Sequence, residues 1–145
     1  MIKFRMDGLR ELEAMLMELS KPAAKASSRR ILKKAGKPMA EAGARNAPED
    51  QGHLKDSYGV GTKLTKRQRR QYVKQSEVEV FVGPNDPSAV QTEFGNEHQA
   101  AQPHLRPAFE AKKYEALRII GAEFMADIQK TIARQKRRLA KKKAK

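Results

Sequence analysis

Cysteine and tryptophan are absent from this sequence, and aromatic residues are few. Its 145 residues include only three Tyr and five Phe. Without cysteine the protein cannot form disulfides, thiolate metal sites or a cysteine nucleophile. Because large aromatic side chains are scarce, we expect a core built mainly from Leu, Ile, Val, Met and Ala.

Long apolar runs are absent as well. No stretch approaches the ~18 consecutive apolar residues of a membrane-spanning helix, so we expect no membrane partner. Hydrophobic residues make up 39% of the chain and charged residues 33%, and a chain of this length fits one domain. We predict a single domain over residues 1–133 and a basic tail over residues 134–145, which is either disordered or continues the last helix.

Two segments contain no acidic residue, in a chain whose net charge is +14. Residues 63–74 hold six basic residues and residues 134–145 hold eight, so the other 17 basic residues balance the 17 acidic ones. Acid-free segments of this kind are solvated arms or contacts with a polyanion. The sequence leaves open whether they face solvent, DNA or an acidic partner. The basic residues are Lys63, Lys66, Arg67, Arg69, Arg70, Lys74, Arg134, Lys136, Arg137, Arg138, Lys141, Lys142, Lys143 and Lys145.

The N-terminal part of the sequence predicts one strand and two helices. Residues 2–6 alternate apolar and polar side chains, as a half-buried strand does. A first helix is indicated by leucines at three- and four-residue steps, namely Leu9, Leu12, Leu16 and Leu19. A second helix is predicted from Pro22 to Arg45, with a kink or a break into two helices at Pro38, which lacks an N–H group. Its many alanines imply close packing against a neighbour, in the same chain or in another.

The C-terminal part predicts strands and a long final helix. Strands are expected at Ser57–Leu64 and Glu77–Gly83, with a further short one at Val90–Gly95. The basic segment 63–74 then forms an exposed hairpin tip. The final helix is expected to begin with Pro107, which suits a first helical position. We therefore predict an α+β fold, in which a small antiparallel sheet packs against two N-terminal helices and one long C-terminal helix.

Three short motifs carry a resemblance to a known family. Residues 47–57 read APEDQGHLKDS, residues 92–96 read TEFGN, and residues 101–108 read AQPHLRPA. In this order they resemble the small neck, or tail-completion, proteins of long-tailed bacteriophages, a head–tail joining family. Gln51, Asn96 and His104 stand where the family has Thr, Thr and an aromatic residue. The matching positions are Ala47, Pro48, Asp50, Gly52, Leu54, Ser57, Glu93, Phe94, Gly95, Pro103, Arg106 and Pro107.

These motif residues have structural interpretations of their own. The two glycines permit turns that a Cβ would strain, and the prolines stiffen loops at helix boundaries. Leu54 and Phe94 are expected to anchor their loops on the core. Glu93 and Arg106 are expected to pair, which would hold the strand at Val90–Gly95 in register with the final helix.

The resemblance implies a structural virion protein at the head–tail junction, needed to join a tail to a DNA-filled head. It implies assembly in the host cytoplasm into a ring, with a hexamer as the natural guess. The expected partners are other neck and tail proteins, such as the tail terminator and the head-closure or adaptor ring. The alternative is an accessory protein that binds nucleic acid without regard to sequence. The two functions coincide if the basic segments of such a ring contact the DNA that the ring surrounds.

An enzyme is the third class of function. His53, His98 and His104 are the only histidines, and none belongs to a metal-binding pattern such as HExxH. Histidines in loops of this kind are expected to be surface groups. No nucleophile elbow or phosphate-binding glycine loop is present. We predict a protein without catalytic residues, metal or cofactor.

Overall fold

A computed structural model of the chain describes residues 10, 14, 17, 19–49 and 52–143. The predicted strand at residues 2–6 and most of the predicted first helix lie outside these residues. The elements with defined bounds are α1 (Lys21–Asn46), α2 (His53–Asp56), β1 (Tyr58–Gly61), α3 (Lys66–Gln71), β2 (Phe81–Pro84), α4 (Ala89–Phe94) and α5 (Leu105–Lys143). The prediction of an α+β fold is confirmed.

Two long antiparallel helices, α1 and α5, form the body of the protein. Ser27 Oγ lies 2.9 Å from Thr131 Oγ1, and Lys34 Nζ lies 2.6 Å from Glu123 Oε1. The two helices therefore run in opposite directions. Ile128 of α5 lies between these two contacts along the helix and is fully buried, so it belongs to the core.

The helix α1 runs without interruption through Pro38, so the alternative of two abutting helices is wrong. A proline inside a helix removes one backbone hydrogen bond, and the tertiary packing of α1 keeps the remaining turns in place. Three of its alanines are buried by other parts of the same chain. Ala35, Ala40 and Ala42 are 2%, 8% and 7% exposed.

The two strands form an antiparallel hairpin that lies against α1. Tyr58 is paired with Pro84 and Gly61 with Phe81. Both strands are shorter than predicted. The second begins only at Phe81 because the Glu79 carboxylate accepts the backbone N–H groups of residues 75 and 76 at 2.6 and 2.9 Å, which curls the chain before the strand.

The basic segment 63–74 connects the two paired strands, as predicted for a hairpin tip, and contains the short helix α3. Thr65 caps α3 by accepting the backbone N–H of Gln68, whose side chain in turn accepts the N–H of Thr65. None of the residues of α3 is buried. The basic side chains of this segment are thus exposed.

The predicted strand at Val90–Gly95 is wrong, because residues 90–94 lie in α4 and Gly95 ends that helix. The side chain of Asp86 accepts the backbone N–H of Ser88 at 2.8 Å, which favours a turn at the start of a helix. The buried residues of α4 are Ala89, Thr92 and Glu93. Their spacing of three and four is the helical period rather than the alternation of a strand.

The final helix begins two residues before the predicted start, at Leu105, and it continues to Lys143. Pro107 is therefore in the first turn but not in its first position. The basic residues 134–143 extend this helix. The start of α5 is fixed by a side chain from α4, and this contact is the centre of the candidate site.

Candidate functional site

Glu93 caps the N-terminus of α5 from a distance in the sequence. Its Oε2 accepts the backbone N–H groups of His104 and Leu105 at 2.7 and 2.9 Å, and its Oε1 accepts that of Arg106 at 3.1 Å. The next residue, Pro107, has no N–H. One carboxylate and one proline thus account for the backbone donors that the start of a helix normally leaves unsatisfied.

The expected pair between Glu93 and Arg106 is present, with Arg106 Nε 3.6 Å from Glu93 Oε1. The guanidinium also lies over the ring of Phe94, 5.1 Å from its centroid. Arg106 is largely exposed whereas Glu93 is 7% exposed. The backbone donors of α5 therefore stabilise the Glu93 carboxylate more than this solvent-screened ion pair does.

His104 is buried, and the prediction that it is a surface group is wrong. It is 1% exposed, and its ring meets that of Tyr58 edge-on, with centroids 5.7 Å apart. The Tyr58 hydroxyl hydrogen-bonds His104 Nδ1. His104 therefore fills the aromatic position of the family motif with an aromatic contact of its own.

The charge state of Glu93 follows from its contacts. Burial alone would raise its pKa, but the three backbone N–H donors and the neighbouring His104 hold the pKa of Glu93 below its ordinary value of 4.5. Burial, together with the charge on Glu93, raises the pKa of Tyr58 to about 12. At neutral pH the site contains a carboxylate and a protonated phenol, so the Tyr58 hydroxyl is available as a donor.

Tyr58 is held in place by α1. A Cβ added at Gly43 would lie 2.2 Å from Tyr58 Cε1, so the ring lies directly on the helix backbone. Gly36 has the same role two turns earlier in α1, where a Cβ would lie 2.8 Å from Val82 Cγ2. These two glycines let the hairpin approach α1 closely.

The first motif packs beside this site. Ala47 and Leu54 are 4% and 8% exposed and form a small core cluster with Ala89 of α4, as expected of Leu54. Ser57 Oγ donates to the carbonyl of Leu54 at 2.8 Å and accepts the backbone N–H of Asp86 at 3.3 Å. Asp50 lies outside the described residues. The first motif therefore holds the chain segment that leads into α4.

The second motif ends α4 in a conformation that favours glycine. Gly95 has φ +77°, and a Cβ there would lie 2.8 Å from the backbone nitrogen of Ala101. Phe94 is 65% exposed, so its predicted role as a core anchor is wrong. Because α4 is a helix, Phe94 points away from the buried side that carries Glu93.

An exposed apolar patch surrounds Phe94. Val90 and Phe109 are 67% and 47% exposed, and together with Phe94 they line a groove of 440 Å³ that reaches Leu105 and Arg106. We refer to Val90, Phe94 and Phe109 as the apolar patch. Contiguous exposed apolar side chains with a charged rim are typical of protein–protein contact sites.

The three histidines do not converge. Within residues 19–49 and 52–143, and at the three single positions described, no group of three or more His, Asp or Glu side chains could hold a metal ion. No described helix is long and apolar enough to cross a membrane.

The family of the chain follows from a comparison with known protein families. Residues 10–95, more than half of the 145 residues, match the family described as "Bacteriophage HK97-gp10, putative tail-component". The chain belongs to this HK97-gp10-like family of phage tail components. No curated protein and no solved structure gave a significant match.

The match to the HK97-gp10-like family ends at Gly95, yet the structure extends beyond it without a break. The matched range covers the first motif and all of the second except Asn96, whereas the third motif and α5 follow it. Glu93 lies inside the matched range and its three backbone donors lie outside. The capping contact thus ties the segment of the chain that defines the family to the final helix.

Sequence reasoning missed two residues of this site in the HK97-gp10-like chain. Tyr58 follows the first motif directly, and Gly43 precedes it by four residues. A tyrosine in a strand and a glycine in an alanine-rich helix are individually unremarkable, because only the packing of the hairpin on α1 brings them together.

Proposed function

We propose that this tail component acts at the head–tail junction as a neck or tail-completion protein, needed to join a tail to a DNA-filled head. The family match over residues 10–95 carries this proposal, and the three motifs support it because their spacing resembles that of neck proteins. In this role the protein is structural, without catalytic residues or a cofactor.

The architecture suits a joining protein. The helix α5 has 39 residues, so it is about 58 Å long at about 1.5 Å per residue. It is attached to α1 by ion pairs and buried side chains along much of its length, and to α4 through Glu93. A rigid rod held at two places can transmit contacts between neighbouring rings.

We propose that copies of the chain form a closed ring through the apolar patch, with a hexamer as the expected stoichiometry. The patch lies on α4 and the start of α5, opposite the buried side of α4. A ring needs a heterologous interface, in which this patch meets a different surface of the next copy. Other tail and head-closure proteins are the expected contacts above and below the ring.

The test of the joining role is electron microscopy of particles from a phage or prophage that lacks only this gene. We expect DNA-filled heads and separate tails, with infectivity restored when purified protein is added to the lysate. Normal joined virions from the deletion strain would contradict the joining role.

The ring interface is tested with two substitutions of the same kind. Val90→Asn introduces a polar side chain into the apolar patch, and Val73→Asn does the same at a valine that is 75% exposed outside it. We expect Val90→Asn to weaken each interface between neighbouring copies by about 1 kcal/mol. Because this loss is repeated around the ring, the restored infectivity should fall at least tenfold for Val90→Asn only. Equal restoration by both proteins, with equal melting temperatures, would rule out the apolar patch as the interface.

The second candidate function is an accessory protein that binds nucleic acid without regard to sequence. It is favoured by the exposure of the basic segment 63–74 and of the basic end of α5. The deletion strain separates the two candidates. Joined virions with altered DNA content would support the second candidate and contradict the first.

A further inference from the structure

One end of the protein carries a basic cavity that the sequence did not reveal. It measures 720 Å³ and lies between α1 and the connection from β1 to β2. Two of its cations, Arg29 and Lys33, come from α1, outside both acid-free segments. Its five basic residues are Arg29, Lys33, Lys63, Arg69 and Lys74. We refer to this site as the basic cavity.

The basic residues of α1 are divided between two sides of the helix. Arg30 lies 2.7 Å from Asp127 Oδ2 and Lys34 lies 2.6 Å from Glu123 Oε1, both on α5. Arg29 and Lys33 instead line the basic cavity, where no carboxylate among the described residues forms an ion pair with either. One pair of cations therefore stabilises the fold, and the other pair is available to an external anion.

The two carboxylates that line the cavity are already engaged. Glu77 pairs with Lys25 at 3.0 Å. Glu79 accepts the Tyr72 hydroxyl at 2.9 Å as well as two backbone N–H groups. Tyr72 in turn meets Phe81 edge-on, with ring centroids 5.3 Å apart. These contacts fix the shape of the cavity and leave its cations in excess.

The basic end of α5 lies at the same end of the molecule. Ser27 is opposite Thr131, so antiparallel helices place Lys25 near the level of about residue 133 in α5. Lys25 in turn holds Glu77 at the cavity. The two acid-free segments, far apart in the sequence, therefore lie toward the same end of the helix pair.

The distribution of these charges favours an extended polyanion over a folded acidic surface. At about 100° per residue, the seven basic residues between Arg134 and Lys143 occupy all sides of α5. A protein partner of fixed shape would engage one side. The regular phosphates of a nucleic acid need no match of individual positions and are bound by charge alone.

We propose that the basic cavity and the basic end of α5 together form a binding site for the phosphate backbone of DNA, without sequence preference. The bound species is duplex DNA, and the contacts are charge-assisted hydrogen bonds from Arg29, Lys33 and the segment 63–74 to phosphate oxygens. The proposal rests on the proposed function only for the origin of this DNA, which is the genome that passes the head–tail junction.

The test measures binding of the full chain to fluorescent duplexes of two unrelated sequences between 50 and 200 mM salt. The variant Arg29→Gln/Lys33→Gln should bind both duplexes about tenfold more weakly, with a logarithmic salt slope smaller by about 2. The control variant Arg45→Gln/Arg118→Gln removes the same charge from exposed positions of α1 and α5 that lie outside both the cavity and the basic end of α5. It should change the slope by less than about 0.5.

Equal losses for the two variants would overturn the proposal, since the effect would then reflect net charge. Tighter binding to polyglutamate than to duplex DNA, at equal concentrations of negative charge, would overturn it in favour of an acidic protein partner. The assay uses purified protein, so its failure leaves the joining experiment unaffected. A chain that binds DNA but cannot restore infectivity would contradict the proposed function and not this inference.

Discussion

Replacing Glu93 by glutamine is expected to lower the free energy of unfolding by about 2–3 kcal/mol, since the carboxylate is buried and hydrogen-bonded to three backbone N–H groups. The amide of glutamine has one acceptor oxygen and directs an NH₂ group at donors that it cannot satisfy. The start of α5 would lose its cap. Denaturant unfolding of the wild type and the variant at pH 7 measures this difference.

The matched control for this prediction is Glu97→Gln. Glu97 lies four residues further along the chain and is exposed, so the same chemical change should alter stability by less than about 0.5 kcal/mol. Equal effects of the two substitutions would contradict the capping role of Glu93.

The stability difference between the wild type and Glu93→Gln is also expected to depend on pH. The pKa of Glu93 is lower in the folded protein than its ordinary value of 4.5, so its ionisation favours folding. This contribution is fully present above pH 4.5, and it is lost as the pH falls through the lower folded value. The stability difference between wild type and Glu93→Gln should therefore shrink below pH 4.5.

The substitution Gly43→Ala is expected to destabilise the protein by about 1–2 kcal/mol. Alanine is the better helix former by up to about 1 kcal/mol, but its Cβ would lie 2.2 Å from Tyr58 Cε1. The hydrogen bond from the Tyr58 hydroxyl to His104 keeps the ring from moving away freely, and overpacking of this kind costs about 1–3 kcal/mol. Thermal unfolding followed by circular dichroism measures the net effect.

Two further proteins separate the steric effect from the chemistry of the substitution. Gly59→Ala is the simple control, because a Cβ there meets nothing within 4 Å. In the background Tyr58→Ala, the ring is absent and Gly43→Ala should become neutral or stabilising. If Gly43→Ala costs as much in that background as in the wild type, the ring is not the cause.

The long helices and the position of the hairpin could be predicted from the sequence, because their periods are clear. The sequence predicted a helix from Pro22 to Arg45, and the structure has Lys21–Asn46. The sequence of α4 is short and fits both the helical and the strand period. Periodicity alone could therefore not distinguish a helix from a strand. The turn formed by Asp86 and Ser88 favours a helix at this position.

The environment of His104 could not be predicted in the same way. Its neighbours in the sequence are turn residues typical of a surface loop, whereas its structural contacts are Tyr58 and Glu93, 46 and 11 residues away. The basic cavity was missed for a similar reason. Arg29 and Lys33 lie in a region of the sequence with balanced charge, and only the placement of the β1–β2 connection against α1 gives them basic neighbours.

The pairing of α1 with α5 has a consequence for when the protein can act. Ser27 and Thr131 are 104 residues apart in the chain, and contacts of such large sequence separation form late. Glu93 likewise finds its three donors only after the third motif has been synthesised. A nascent chain thus holds its core-facing helix and its capping carboxylate unpaired until α5 has been synthesised. We expect subunits to become competent for assembly only after α5 has paired with α1, which protects the growing virion from copies that lack this helix.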